Sequence, residues 1–262
     1  MNYEQKLKLV YEEAYKFLES KVVKDVLNKQ LDYYYTCRPK TINSIFFRLL
    51  ESLKNKQSMP NSIGDIKKLK NFIFNFNPQK INKVYGNDWR ALFKKIKGNY
   101  TPPGPMNIKN ERSYWVIYCK GILSSAKFLS NFNSTEEFDK FVKSFFHNEF
   151  TIAALPMLLD KEIFGFGFPL ACDFLKELGY VQYGKSDIHI KDIFYELNLI
   201  NSKDDYEVFK TLVKIGFLVN KDVVIVDKIF WLIGSGNFYE SNIKIGRQKK
   251  EFVKIIKSKI KN

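Results

Sequence analysis

The stretch KEIFGFGFPLACDFLKELGYVQYGKSDIHI, residues 161–190, carries the clearest structural signals in the chain. Two glycines two residues apart, Gly165 and Gly167, allow a tight turn with positive φ angles between two apolar segments. Pro169 follows in the first turn of the next predicted helix, where its missing N–H costs nothing. Asp187 stands just before another apolar segment, the usual position of an N-cap residue. The stretch therefore predicts a helix, a glycine hairpin, a second helix, a loop and a third helix.

Helical periodicity dominates the sequence on both sides of this stretch. Apolar residues recur at helical spacing in residues 2–30, 41–56 and 112–132, and again in residues 204–218 and 223–236. The run VVIV inside the last of these segments is the strongest strand-like signal in the chain, and we interpret it as helical. The sequence therefore predicts an all-α fold.

A proline-rich segment suggests a division of the chain. Residues 98–110, GNYTPPGPMNIKN, have two adjacent prolines, a Gly-Pro pair and several asparagines, which predicts a loop or a joint between subdomains. We divide the chain there into an N-terminal helical region, 1–100, and a core, 110–262, that holds the hairpin at 163–169. The N-terminal region is either part of one subdomain or an extension. A lysine-rich helix is also expected at about residues 65–75.

The composition favours a polyanionic partner. The chain has 262 residues, with 43 Lys and Arg against 28 Asp and Glu, and a formal net charge of +15. Such an imbalance points to nucleic acid first and to an anionic membrane surface second. The abundance of Lys, Asn, Ile, Phe and Tyr also fits the bias of an AT-rich genome. Apolar residues make up 45% of the chain, which supports a sizeable core and argues against global disorder.

Cysteine usage and hydropathy argue against several classes of protein. Cys37, Cys119 and Cys172 are odd in number, far apart and without a CxxC pair. This pattern argues against a disulfide framework, a structural zinc ion and a cysteine-ligated iron–sulfur cluster. It fits a reducing cytoplasm, and we expect no signal peptide. No apolar run reaches the ~18 residues that a membrane-spanning helix needs.

The hairpin and Asp187 each admit a chemical and a purely structural interpretation. In the chemical interpretation, the hairpin binds an anion through the backbone N–H groups of Gly165, Phe166, Gly167 and Phe168. These groups form the anion site together with the start of the following helix. The alternative is a plain helix–helix turn. Asp187 is an ordinary N-cap in the structural interpretation. In the chemical one, its carboxylate is held ionised by the helix and stabilises positive charge on a sugar ring or activates a water molecule.

At these positions the chain resembles the helix–hairpin–helix DNA glycosylase superfamily of base-excision repair. The hairpin GFGFPLACDFL and the later SDIHIKDIF carry the resemblance. Gly165, Gly167 and Ala171 match the family's two hairpin glycines and the alanine that follows. Asp187 matches the family's catalytic aspartate, and His189 matches a common histidine. His189 is then a polar contact beside the site, with a surface or capping histidine as the alternative.

The resemblance covers roughly residues 150–200 and implies both a fold and a reaction. The family is all-α, with two helical subdomains and the active-site cleft between them. Its hairpin holds a DNA phosphate, and its aspartate is essential for cleaving the N-glycosidic bond. The implied partner is double-stranded DNA that contains a modified or mispaired base. We expect a cytoplasmic monomer without membrane contact, associated with the nucleoid if the protein is bacterial.

The chain departs from the strand-cleaving members of this family. These members use a lysine in the helix after the hairpin to form a Schiff base with the sugar, and Pro169 occupies that position here. The resemblance therefore implies a monofunctional glycosylase in which Asp187 assists attack by water, unless a lysine from elsewhere, such as Lys120, takes the role. The iron–sulfur cysteines of some members are missing, so no such cluster and no other metal site is expected. A monovalent cation at the hairpin carbonyls is compatible with the resemblance.

A glycosylase must also hold a flipped base between aromatic or apolar faces. Trp115, Tyr118 and Lys120 in one apolar helix, and Trp231 towards the C-terminus, are candidates for this base pocket. Core packing is the alternative for each of the three aromatic residues. Two other functions stay open: a non-catalytic DNA-binding module that keeps the hairpin, and a basic all-α protein-interaction domain.

Overall fold

A computed structural model describes residues 1–36 and 38–261, with only the backbone of Lys261, so Cys37 lies outside the described residues. In chain order, the α-helices of this part are α1 (Tyr3–Lys21), α2 (Lys24–Thr36), α3 (Ile42–Lys54), α4 (Met59–Ile63), α5 (Pro78–Tyr85), α6 (Trp89–Lys97), α7 (Tyr114–Leu129), α8 (Thr135–Lys143), α9 (Glu149–Glu162), α10 (Phe168–Glu177), α11 (Ile188–Glu196), α12 (Asp205–Val219), α13 (Val223–Ser235) and α14 (Lys249–Lys261). Two short strands, β1 (Asn237–Phe238) and β2 (Ile243–Lys244), pair antiparallel. The predicted all-α fold is confirmed.

Two stretches test how far helical periodicity predicts this structure. The run VVIV lies in α13, where residues 223–226 are all buried, so a continuous apolar run marks a buried helix here. The prediction of a lysine-rich helix at 65–75 is wrong, because the segment forms 3-10 turns at Ile66–Leu69 and Phe74–Phe76. The three residues of the second turn have positive φ angles of 50°, 55° and 59°, and such a left-handed backbone ends a right-handed helix.

The chain folds as two compact units. The terminal unit combines Met1–Arg38 with Leu175–Asn262, and the central unit is Pro39–Phe174. This division differs from the predicted one into 1–100 and 110–262.

The proline-rich loop at residues 98–110 explains the difference, because it lies within the stretch of chain that forms the central unit and is anchored to that unit. The N–H of Gly104 donates to the carbonyl of Ser62 at 3.0 Å, and Trp115 Nε1 donates to the same carbonyl at 3.1 Å. A Cβ at residue 104 would lie 2.5 Å from Ser62 Cα, so only glycine allows this approach. Proline and glycine here shape an anchored loop rather than a flexible linker.

The core of the terminal unit includes the predicted apolar face of α1. All six residues of the predicted stripe are buried: Leu7, Val10, Tyr11, Ala14, Phe17 and Leu18. This face packs against α12, α13 and α14. Phe230 of α13 is fully buried, and its ring makes edge-on contacts with Tyr11, Phe194 and Phe252. Aromatic burial of this kind contributes much of the stabilisation of a helical core.

The core of the central unit is built around α7, which packs against α3, α5 and α6. Gly121 permits a close contact with α3, because a Cβ there would lie 2.5 Å from Leu53 Cδ2. Across residues 1–36 and 38–261, no helix combines the length and the apolar character needed to cross a bilayer.

Candidate active site

The predicted glycine hairpin connects α9 to α10 in the central unit. Gly165 and Gly167 have φ angles of +74° and +73°, which L-residues with a side chain rarely adopt. The carbonyl of Gly167 accepts the N–H groups of Leu170 and Ala171, both at 3.1 Å, and so starts α10. Within the part of the chain that the structure describes, the N–H groups of Gly165 and Gly167 have no acceptor.

The two phenylalanines of the hairpin are anchors rather than ligand contacts. Phe166 is 1% exposed and Phe168 is 9% exposed, and the Phe166 ring packs edge-on against Phe174 of α10. The N–H of Phe166 is also engaged, since it donates to the carbonyl of Ile163 at 3.2 Å, so Gly165 and Gly167 supply the N–H groups that are left for a ligand. The hairpin therefore presents main-chain N–H groups at the start of a helix, an arrangement that favours anions.

Phe164, the residue before Gly165 of the hairpin, is hydrogen-bonded to α7. The N–H of Phe164 donates to Ser124 Oγ at 2.9 Å. The Lys120 ammonium lies 5.3 Å from the centre of the Phe164 ring and 5.1 Å from that of Trp89, and it pairs with Glu111 at 3.1 Å. Lys120 is thus part of the support of the hairpin. Its engaged ammonium does not favour the role of Schiff-base lysine or of base-pocket residue.

Lys56 is a neighbour of the hairpin that the sequence did not reveal, because it lies far away along the chain. A Cβ at Gly165 would stand 3.9 Å from Lys56 Nζ and 3.0 Å from Ile117 Cγ2. The described residues provide Lys56 with no ion-pair partner. It therefore adds positive charge beside the free N–H groups of the hairpin.

The hairpin geometry leads to a stability prediction. We expect Gly165→Ala and Gly167→Ala each to lower the free energy of unfolding by about 1–2 kcal/mol, because an L-residue is strained at these φ angles. Gly165→Ala should cost more, since its Cβ also meets Ile117. Urea denaturation measures both values. The matched control is Gly98→Ala, at a position with a right-handed φ of −74°, and a loss as large there would contradict the explanation.

Asp187 caps α11 in the terminal unit, as the structural interpretation predicted. Its Oδ1 accepts the N–H of His189 at 2.9 Å, and its backbone is extended, with φ −72° and ψ 155°. The side chain is half-buried. No described residue donates to its Oδ2, which is therefore available to a sugar or to water. The capping and chemical interpretations are compatible, because Oδ1 caps the helix and Oδ2 stays available for chemistry.

The loop before Asp187 is held by two acidic residues that the sequence did not single out. Asp227 Oδ2 accepts the N–H of Lys185 at 3.0 Å, and Asp205 Oδ1 accepts the hydroxyl of Ser186 at 2.7 Å. Both acceptors come from helices, α13 and α12. The position of Asp187 is thus defined by contacts made just before it in the chain.

His189 lies beside Asp187 in sequence, but its side chain packs against α13. A Cβ at Gly234 would stand 2.3 Å from His189 Cβ and 2.6 Å from its Cγ, so glycine there makes room for the histidine. The ring forms no hydrogen bond with the residues that the structure describes. This environment identifies a packing role and leaves the predicted polar contact untested.

Two of the predicted base-pocket residues are corrected by the structure. Trp115 and Tyr118 have no exposed surface and lie in the core of the central unit. Their polar atoms are satisfied internally, since Trp115 Nε1 donates to Ser62 and Tyr118 Oη to the carbonyl of Leu50 at 3.1 Å. With their ring faces covered, they cannot stack on a base. Trp231, in the terminal unit, is half-buried and keeps that possibility.

Trp231 belongs to a group that we call the lysine–aromatic cluster, which lies in the terminal unit. Its members are Gln30, Tyr34, Lys176, Asp227, Lys228, Trp231 and Tyr239. Lys176 Nζ lies 2.7 Å from Asp227 Oδ2, and the two side chains are 7% and 1% exposed. The Lys228 ammonium lies 4.2 Å from the centre of the Trp231 ring and donates to the Tyr239 hydroxyl at 3.0 Å. Ion pairing and cation–π contacts offset the cost of burying these charges.

Two buried polar atoms of this cluster lack a hydrogen-bond partner among the described residues. They are Asp227 Oδ1, an acceptor, and Gln30 Nε2, a donor. Gln30 is held by its other amide atom, which accepts the N–H of Glu240 at 3.1 Å. A buried group without a partner costs about 1–3 kcal/mol. Burial also raises the pKa of the neighbouring Tyr34 phenol well above its ordinary value, which keeps it neutral.

Within residues 1–36 and 38–261, no three His, Cys, Asp or Glu side chains are placed to hold a metal ion.

The fold is that of solved DNA glycosylases. A crystal structure of Methanocaldococcus jannaschii 8-oxoguanine DNA glycosylase matches with a TM-score of 0.52 and 20% identity, over 90% of this chain and 99% of that one. A crystal structure of the 8-oxoguanine glycosylase/lyase of the same organism, in complex with a 15mer DNA containing 8-oxoguanine, matches with a TM-score of 0.51 and 20% identity, over 86% of this chain and 96% of that one. No protein-family model matches the sequence, and comparison with curated proteins finds no relative.

Proposed function

We propose that this protein is a DNA glycosylase that hydrolyses the N-glycosidic bond of a damaged base. The observation that carries the proposal is Asp187, a helix-capping carboxylate with one uncommitted oxygen, in a chain that shares the fold of 8-oxoguanine DNA glycosylases. The net charge of +15 supports a nucleic-acid partner.

The hairpin is proposed to hold a DNA phosphate. The N–H groups of Gly165 and Gly167 have no internal acceptor, and the start of α10 adds a favourable dipole for an anion. Lys56 supplies a full positive charge beside Gly165. Contacts of this kind carry no sequence information, so they fix the enzyme on the backbone and leave recognition to the base pocket.

Asp187 is proposed to assist the attack of water on the sugar. As the bond between C1′ and the base lengthens, its electron pair leaves with the base and positive charge develops on the sugar ring. The free Oδ2 of Asp187 stabilises that charge and accepts a proton from the attacking water, whose oxygen forms the new bond to C1′. The released base takes up a proton, and an abasic site is left in the strand.

Trp231 is proposed to contact the flipped base, because it is half-buried and offers part of a ring face. The neighbours that act on 8-oxoguanine make this base the first substrate to test.

The reaction is proposed to stop at base release. Pro169, at the position that the resemblance gives to the Schiff-base lysine, has no amine, Lys120 is paired with Glu111, and Lys176 is paired with Asp227. Lys56, beside the hairpin, is assigned to the DNA phosphate. In this proposal the chain differs from the structural neighbour described as a glycosylase/lyase, because a lyase also breaks the DNA strand.

The test uses end-labelled duplexes that each contain one lesion, with 8-oxoguanine first, at enzyme in excess over DNA. We expect strand breaks only after alkaline treatment of the abasic product, and no enzyme–DNA adduct on borohydride reduction. An adduct would overturn the monofunctional assignment, and the same experiment on Lys120→Ala would identify or exclude that lysine. Salt-dependent DNA binding without base release from any lesion would instead favour a non-catalytic DNA-binding protein.

A further inference from the structure

Asp205, the first residue of α12, contacts the chain on both sides of Asp187. Its Oδ1 accepts the hydroxyl hydrogen of Ser186 at 2.7 Å and lies 2.6 Å from Lys191 Nζ. Ser186 is 2% exposed and directly precedes Asp187, while Lys191 lies one helical turn after it. One carboxylate oxygen therefore holds the two residues that flank the proposed catalytic group.

Without Asp205, Lys191 would be a natural ion-pair partner of Asp187. The N–H of Lys191 donates to the carbonyl of Asp187 at 2.9 Å, so the two residues lie one helical turn apart and their opposite charges attract each other. Asp187 also has an uncommitted oxygen, Oδ2. In the structure these two residues do not pair, and Lys191 is bound to Asp205 instead.

We propose that Asp205 is a positioning residue that keeps the Lys191 ammonium away from the Asp187 carboxylate. This inference rests on the proposed role of Asp187. A carboxylate that is paired with an ammonium has less charge to offer to a cationic sugar, and it accepts a proton from water less readily. The bond from Ser186 to the same Asp205 oxygen holds the loop from the other side, so the two contacts together keep Asp187 both fixed and unpaired.

The test separates the charge of Asp205 from its hydrogen bond. Asp205→Asn keeps an oxygen for the Ser186 hydroxyl but loses the charge that holds Lys191. We expect the single-turnover rate of base release to fall about tenfold, with the affinity for abasic-site DNA changed by less than about twofold. Lys191→Met in the same chain should restore the rate, because no ammonium is left to pair with Asp187.

The control is Asp192→Asn on α11, the helix that Asp187 caps and that carries Lys191. Asp192 pairs with Lys203 and Lys249 rather than with a neighbour of Asp187, so its loss should leave the rate nearly unchanged. If the double variant Asp205→Asn, Lys191→Met is as slow as Asp205→Asn alone, Asp205 has only a structural role and the inference is overturned.

A crystal structure of Asp205→Asn tests the inference without reference to activity. We expect Lys191 Nζ within hydrogen-bonding distance of the Asp187 carboxylate, and a lysine that stays away would overturn the inference. A wild-type protein without base release would instead refute the proposed function, and this structure would still decide whether Asp205 controls the position of Lys191.

Discussion

Asp187→Asn is expected to reduce the single-turnover rate of base release by about 10²–10⁴-fold, the range associated with loss of general acid–base catalysis. The amide has no charge to stabilise a cationic sugar and no basic oxygen to take a proton from water. Asparagine is as good an N-cap as aspartate, so α11 should keep its start and the protein its fold. Binding to abasic-site DNA should stay within about threefold of wild type, because phosphate contacts supply most of the affinity.

The matched control for this change is Asp88→Asn. Asp88 is an exposed N-cap of α6 that accepts the N–H of Ala91 at 2.9 Å. The control therefore makes the same change, from aspartate to asparagine, at the N-cap of a different helix. Its rate of base release should equal that of wild type. A folded Asp187→Asn protein that releases the base at the wild-type rate would show that Asp187 is only a cap.

Lys176→Met is expected to have the largest effect on stability, a loss of about 3–5 kcal/mol in the free energy of unfolding. The substitution leaves the Asp227 carboxylate, which is 1% exposed, buried without its ammonium partner. Urea denaturation, followed by far-UV circular dichroism, measures the loss. The pair of the exposed Lys203 with the half-buried Asp192 provides the control. Lys203→Met should cost less than about 1 kcal/mol, because Asp192 keeps Lys249 as a partner.

A double variant shows whether the loss of stability comes from an unpaired buried charge or from general damage to the core. Lys176→Met combined with Asp227→Leu removes both charges and should recover much of the lost stability. Recovery should be incomplete, because the N–H of Lys185 then loses its acceptor. A double variant as unstable as the sum of the two single ones would contradict the importance of the ion pair.

The helical architecture could largely be predicted from local patterns. The stripe on α1 is buried residue by residue, and the glycine hairpin and Asp187 take up the backbone conformations that their neighbours in sequence indicated. These features depend on residues within a few positions of each other, so periodicity, caps and turn residues describe them well. The prediction of a helix at 65–75 failed because the lysines and apolar residues of this segment fit a helix, whereas its end adopts a left-handed backbone.

The partners of the site residues could not be predicted in this way. Trp115 and Trp231 are the same residue type in similarly apolar helices, yet the first is fully buried and the second is half-buried. Asp227 pairs with Lys176 across a long separation in sequence, and periodicity does not encode such contacts. One signal was present: Asp227 and Lys228 interrupt an otherwise apolar helix, and charges that are buried in that way need partners.

The most direct test of the central claim is mass-spectrometric detection of the free base released from a duplex with a single 8-oxoguanine or another oxidised base. We predict that wild-type protein releases the intact base and leaves an abasic site, and that Asp187→Asn, at equal occupancy of the DNA, releases at least about 100-fold less in the same time. Wild-type protein that is folded and bound to each lesion-containing DNA, yet releases no base from any of them, would contradict the claim that this chain is a DNA glycosylase.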